Sequence, residues 1–296
     1  MQTNTPPRST IRLTRRGRLA LLVTGAVAAG TAVVVPLLTL AAGGAEEKPA
    51  TLVIPAGWRA GQVYDAVDKA LGLPPGSTRT SLDKAPLKLP NEAAGNPEGY
   101  LFPATYPVRK GATPQSLLQL MVDTADKKYG PPVAAGAQRN AMNVHQAVTI
   151  ASIVQAEAST KADMGKVARV ILNRLNSGMP LQMDSTLHYA LSRETVPAGP
   201  NDTQVESPYN SYQRTGLPPT PIDNPGEDAM RAALNPTPGD WLYFVTIRPG
   251  DTRFTADYDE HLRNVAEYRA VHQGAAAAPS PSGSPPGSPA PEPSGS

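Results

Sequence analysis

The segment Val144–Ala158 places a carboxylate where an apolar residue is expected. Ile150, Ile153 and Val154 stand at i, i+3 and i+4, the spacing of one helix face, and the i+7 position on that face is Glu157. A carboxylate that continues an apolar stripe is driven inward, where desolvation disfavours its charged form and raises its pKa. A carboxyl still protonated near neutral pH can act as a general acid. The same spacing also allows Glu157, in the last turn, to swing to solvent or to cap a neighbouring group.

Residues able to hold a ligand cluster in two later segments. One is Leu181-Gln-Met-Asp-Ser-Thr-Leu-His-Tyr189; the other is Ser207-Pro-Tyr-Asn-Ser-Tyr212, followed by Gly216-Leu-Pro-Pro-Thr-Pro-Ile222. Amide, hydroxyl and phenol groups on proline-stiffened loops suit a sugar polymer, although an ordinary ordered surface has the same composition. Asp184 has two readings, as the cap of a short helix Ser185–Leu191 or as a sugar contact. The chain has no cysteine, which excludes disulfides, thiolate metal sites and a cysteine nucleophile. Its four histidines (His145, His188, His261, His272) lack ligand spacing, and no GxSxG or P-loop pattern is present. Neither a metal nor a cofactor is expected.

The elements that must position these groups read as α+β. Thr51–Ile54 is a short strand, followed by a Pro-Ala-Gly turn and a helix carrying Val63, Val67 and Leu71, with Gly72 as C-cap. Thr105–Val108 is extended, and Thr113-Pro114 opens a helix that buries Leu117, Leu118, Met121, Val122 and Ala125. The Pro-rich stretch 74–97 between them has no clear assignment, and the Pro/Gly/Ala-rich run Gly130–Gly136 reads as a break. Beyond it the chain becomes mainly helical. Helices are expected at Val144–Ala158, at Met164–Asn176 with Asp163 as N-cap, and from Asn224-Pro-Gly-Glu227 to Leu234 with Asn224 as cap. Strands at Trp241–Ile247 and Thr252–Thr255 precede a last helix, Asp257–His272. Asn173 and Arg174 either hold the second of these helices against the Glu157 helix or lie on the surface.

The two ends differ from this middle. Residues 1–18 carry five arginines and no acid, and Leu19–Ala42 is an uncharged run of 24 residues, enough to span a membrane as a helix. The positive-inside rule puts residues 1–18 in the cytoplasm and the rest outside, so a single-pass cell-membrane protein is expected; a cleaved signal peptide is the alternative. Residues 274–296 are Pro, Ser, Gly and Ala with one charge, Glu292, and are expected to be a disordered tail. Of 27 Lys and Arg, removing the five arginines leaves 22 against 25 Asp and Glu. The exported part is therefore slightly acidic. With only three Phe and two Trp, it offers neither a polyanion-binding surface nor a base-stacking platform, and nucleic acid is not an expected partner.

Taken in order, the motifs carry a specific resemblance. Ile150-Ala-Ser-Ile-Val-Gln-Ala-Glu-Ala158 resembles the catalytic segment of the endolytic peptidoglycan transglycosylases, the MltG or YceG-like family. Val167–Leu175 resembles that family's second helix, and Gly178-Met-Pro-Leu-Gln-Met-Asp-Ser-Thr186 its LQxDxT loop. Ser207–Tyr212 and Gly216–Ile222 resemble its SPYNTY and GLPPxPI signatures, and Pro97-Glu-Gly-Tyr-Leu-Phe-Pro-Ala-Thr-Tyr106 resembles its EGYLFPDTY stretch. The similarity spans about residues 51–268. Two positions depart from the pattern: Gln155 stands where relatives often carry glutamate, and Ala104 replaces the aspartate of FPDTY.

Beside the membrane anchor read from the apolar run at 19–42, the resemblance implies a small LysM-like α+β module at 49–130 and a mainly helical, lysozyme-like catalytic domain at 137–273. It makes Glu157 the catalytic residue, with Gln182, Asp184, Tyr209, Asn210 and Tyr212 as substrate contacts. The implied reaction cuts glycan strands between N-acetylmuramic acid and N-acetylglucosamine and leaves a 1,6-anhydro end. Implied partners are peptidoglycan strands, the membrane and possible peptidoglycan synthases. Two alternatives remain at this level. One is a membrane-tethered wall-binding protein without activity; the other is an inverting hydrolase in which Asp184 activates water.

Overall fold

The computed structural model describes residues 50–193 and 201–276. The basic arm 1–18 and the apolar run 19–42 lie outside the described residues. Among those described, no helix is long and apolar enough to cross a membrane. The described residues are mixed helix and sheet, with two small antiparallel sheets among them.

The first sheet pairs β1 (Ala50–Val53) with β2 (Thr105–Val108), with Leu52 opposite Tyr106. Helix α1 (Ala60–Leu71) turns Val63, Tyr64 and Val67 inward. Helix α3 (Pro114–Lys128) begins as its sequence predicts. Thr113 Oγ1 accepts from the Ser116 N–H, proline follows at the first position, and Leu117, Leu118, Met121 and Val122 are buried. These faces join Leu52, Ile54, Leu101 and Tyr106 in one apolar cluster.

The unassigned Pro-rich stretch contains helix α2 (Ser77–Lys84) and a 3-10 turn at Asn91–Ala93. Asp68, on the last turns of α1, starts α2 from outside. Its carboxylate accepts from the Gly76 and Thr78 N–H groups, both at 2.8 Å, and from the Thr78 hydroxyl at 2.6 Å. The expected break at Gly130–Gly136 is instead helix α4 (Pro131–Arg139). Its two prolines occupy the first turn, where a missing N–H costs nothing.

Helix α5 (Val144–Glu157) is the centre of the second apolar cluster. Asn143 caps it, accepting from the Gln146 N–H at 2.8 Å. Every residue from Ala147 to Val154 is buried, so α5 has no solvent face along its middle. Thr149 and Ser152 are accommodated by donating to the carbonyls of His145 and Thr149. Helices α6 (Met164–Asn176) and α8 (Glu227–Leu234) pack against it. Tyr100, Phe102, Ala125 and Tyr129, which precede Gly130 in sequence, also belong to this cluster.

Short helix α7 (Asp184–Ala190) follows the loop after α6. Strands β3 (Tyr243–Arg248) and β4 (Asp251–Thr255) form the second hairpin, and helix α9 (Tyr258–Ala276) lies beyond it. The first three residues of the expected disordered tail therefore continue α9, and 277–296 lie outside the described residues.

Two expected caps are corrected and a third is found in place. Asp163 is the N-cap residue of α6, although its side chain makes no capping bond; its Oδ2 accepts from the hydroxyls of Thr160 and Ser159. Asp184 is the first residue of α7 and does not cap it. Asn224 is not the cap of α8, a position held by Gly226. Asn224 is instead fully buried as a cross-link. Its Oδ1 accepts from the Leu101 N–H, and its amide donates to the Trp58 carbonyl and to Glu98.

Gly99 lies closely against Pro221 and against Val148 of α5. Its φ is +85°, and a Cβ there would lie 2.5 Å from Pro221 Cγ and 2.9 Å from Val148 Cγ1. Gly111 has a similar φ of +79° with open space around it. Gly99→Ala should therefore cost about 2–4 kcal/mol, combining backbone strain with overpacking, against about 1–2 kcal/mol for Gly111→Ala. Chemical denaturation of both variants checks this. Equal losses would refute the close packing at Pro221.

Candidate active site

Glu157 is the last residue of α5, where the helix emerges from the core. Two cavities of about 400 and 440 Å³ share Glu157 and Asp184 as a common wall. Together they form an open cleft with Glu157 at its middle. Burial raises the Glu157 pKa above the ordinary carboxylate value, mainly by desolvation. The negative charge of neighbouring Asp184 adds to the rise, while contacts from Ser185 and the proximity of His188 oppose it. The Ser185 N–H donates to Glu157 Oε1 at 3.0 Å and fixes the direction of the carboxyl. A carboxylate at a helix C-terminus is further disfavoured by the helix dipole. A directed, desolvated carboxyl facing an open cleft can deliver a proton to a bound ligand.

Three of the five predicted contact positions line the cleft. Asp184 lines both cavities, and its Oδ1 accepts from the Tyr212 hydroxyl at 2.5 Å. Tyr212 and Gln182 line the second cavity. Gln182 holds a left-handed backbone, φ +51°, uncommon for a side-chain-bearing residue. Its N–H donates to the Ser211 carbonyl at 2.9 Å. Asn210 is fully buried. Its amide donates to the carbonyls of Thr203 and Val205 and its Oδ1 accepts from the Tyr212 N–H, so the side chain is engaged in holding its own loop. Tyr209 lines neither cavity. It lies against the Tyr189 ring at 4.8 Å and meets the Thr220 hydroxyl.

Arg174 organises the second cavity. It is 6% exposed and has no carboxylate partner among the described residues. It donates to the carbonyls of Leu242, Pro180 and Leu181 and to Gln182 Oε1. Asn173 donates to the carbonyls of Gly239 and Trp241. These two residues therefore tie α6 to the cavity loop and to the approach to β3, not to α5. Ser211 completes the lacing, receiving the Met183 N–H and meeting the Thr186 hydroxyl at 2.8 Å.

The first cavity contains residues that sequence reasoning did not single out. Ala56, Gly57, Arg59 and Gln62, from the β1–α1 region, form one side. Gln155, His188 and Asp223 form part of the other. Gln155 Oε1 accepts from the Gly226 N–H, binding α5 to the loop before α8. Behind this wall lies Glu98, 4% exposed. Its Oε1 accepts from the Ala60 N–H at the start of α1 and from Asn224, and its Oε2 from the Tyr189 hydroxyl. The available sequence signal for Glu98 was a lone acid before the apolar Tyr100-Leu-Phe102. For Asp223 it was a carboxylate directly after the buried Ile222.

Desolvation pushes the Glu98 carboxyl up to about 7. Arg59, Tyr189 and Asp223 face it, and its hydrogen bonds and Arg59 oppose the rise only in part. A carboxyl whose pKa rises on folding binds its proton more tightly in the folded state. Its contribution to stability is complete below pH 4.5 and is lost as pH rises from 4.5 through about 7. The loss across that window is about 3 kcal/mol. Thermal melts of the wild type should therefore fall between pH 5 and 8, and Glu98→Gln should flatten that decline. An equally steep decline in the variant would refute the assignment to Glu98.

Comparison with known proteins adds four findings. Residues 30–267 match the model of the YceG-like family. A protein of Streptococcus pneumoniae (serotype 2, strain D39) named endolytic murein transglycosylase is 33% identical over 246 residues, covering 74% of this chain and 44% of that protein. One of the same name from Bacillus subtilis (strain 168) is 38% identical over 172 residues, covering 58% and 48%. The chain thus spans less than half the length of these curated relatives. The crystal structure of a yceG-like protein from Listeria monocytogenes is 31% identical, with a TM-score of 0.65, covering 73% of this chain and 75% of that one.

Proposed function

Because this chain belongs to the YceG-like family, we propose that it is an endolytic transglycosylase that cuts peptidoglycan glycan strands between N-acetylmuramic acid and N-acetylglucosamine. The observation that carries this reading is Glu157, a desolvated carboxyl with raised pKa at the middle of an open cleft. The two relatives named endolytic murein transglycosylase support the choice of substrate.

The mechanism uses one carboxyl twice. Protonated Glu157 donates to the glycosidic oxygen as the C1–O bond breaks, and C1 passes through an oxocarbenium-like transition state. The resulting carboxylate then takes the proton of the muramic acid 6-hydroxyl, whose oxygen attacks C1. The products are a free hydroxyl on one strand end and a 1,6-anhydro ring on the other. Water is not consumed, and no second carboxylate nucleophile is required. Gln182, Asp184 and Tyr212 line the second cavity and are placed to contact the strand.

The same proposal includes the finer architecture. Residues 19–42 form a single-pass cell-membrane anchor, with 1–18 cytoplasmic and the rest extracytoplasmic. Residues 49–130 form a LysM-like module, and 137–273 a lysozyme-like catalytic domain. A tethered cutter of this kind works beside peptidoglycan synthases and ends strands as they emerge.

The test is mass spectrometry of fragments released from purified glycan strands by the full chain in detergent. Anhydro ends are expected, and Glu157→Gln should release at least about 10²-fold less, the lower end of general acid–base catalysis. Reducing ends would replace this reading with hydrolysis. Equal behaviour of Glu157→Gln and wild type would leave only a binding role.

A further inference from the structure

Asp223 carries a carboxylate oxygen for which the fold has provided no hydrogen bond. It is 4% exposed, and its Oδ1 is buried without a hydrogen bond. Buried carboxylate oxygens are normally satisfied, so an orphan of this kind calls for a reason. The side chain lines the first cavity, on the side of Glu157 away from Gln182 and Tyr212.

The backbone on either side of it is clamped. The Ile222 N–H donates to Ser152 Oγ of α5 at 3.0 Å. The Asn224 N–H donates to the Trp58 carbonyl, and the Asn224 carbonyl accepts from the Gly57 N–H at 2.9 Å. The backbone at Asp223 is therefore held in place on both sides. Two other groups of the same cavity complete its character. His188 Nε2 is also buried without a partner. Arg59 crosses the Tyr189 ring and donates to the His188 carbonyl at 3.3 Å, bringing a guanidinium to the same wall. The cavity thus holds an unmet acceptor, an unmet imidazole nitrogen and a cation within a rigid frame.

We propose that Asp223 is a substrate-binding residue, whose Oδ1 accepts a hydrogen bond from a hydroxyl or acetamido N–H of the sugar bound in the Arg59-lined cavity. The inference rests on the glycan-cutting reading above. It makes the cleft two-sided, with Tyr212 and Gln182 on one side of Glu157 and Asp223, His188 and Arg59 on the other. It also explains why the site tolerates an unsatisfied buried acid. Removing a group that is satisfied only in the complex should weaken binding without weakening the fold.

The experiment measures binding of soluble glycan strands of alternating N-acetylglucosamine and N-acetylmuramic acid to the full chain in detergent. It uses Glu157→Gln as the non-cleaving background, with and without Asp223→Ala, and records thermal melts of both. The expected result is binding about tenfold weaker in the double variant, with a melting temperature no lower than that of Glu157→Gln. A purely structural role would lower the melting temperature and leave binding of the folded protein unchanged. Equal affinity of the two proteins overturns the proposal. If Asp223→Ala does not fold, Asp223→Leu, of nearly the same shape but with no acceptor, is read in the same way. Failure of Glu157→Gln itself to bind strands, together with a wild type that releases no fragments, overturns the underlying function. Binding by Glu157→Gln that is unaffected by Asp223→Ala overturns only the role of Asp223.

Discussion

The burial of α5 along Ala147–Val154 is the constraint on which the rest depends. A helix with no solvent face along its middle can present polar side chains to the outside only at its ends. Glu157 occupies one of these ends. Its carboxyl is raised by the same desolvation that stabilises the helix, since both follow from excluding water around α5. Full burial also requires neighbours on every side, and the surrounding segments supply the cleft walls.

Those walls are held mainly by polar lacing to backbone groups. Arg174 donates to three carbonyls and one amide oxygen around the second cavity, and Ser211 and Asn210 fix the loops beside it. Buried donors and acceptors are costly when unpaired, so each of these bonds specifies a loop position more sharply than apolar contact would. This accounts for polar motifs in which few residues are free to meet a ligand. Gln182 and Tyr212 reach the cavity beside Arg174, while Asn210 and Ser211 hold the loop beneath them.

The first cavity depends on a different union. Arg59 and Gln62 come from the β1–α1 region, while Gln155 and Asp223 come from the far part of the chain. Glu98 and Asn224 join them from behind, with Glu98 receiving the first N–H of α1 and Asn224 receiving the Leu101 N–H. The N-terminal α+β segment is therefore part of the cleft wall as well as a folded unit beside it.

Local spacing alone determined the elements whose burial is periodic. Thr113-Pro114 marked the start of α3, and Ile150, Ile153, Val154 and Glu157 marked a helix that ends in an acid, because cap chemistry and the helical repeat act over a few residues. Helices α2 and α4 were hidden. In α2 the stabilising group is Asp68, from another helix. In α4 prolines that look like breakers sit in the one turn that tolerates them. Asp184 and Asn224 read as caps because their types favour capping, but packing gave them partners elsewhere. The gathering of Arg59, Glu98, His188 and Asp223 was decided by tertiary structure alone. Their positions are far apart in the chain, and their burial follows from how two apolar clusters close on one another.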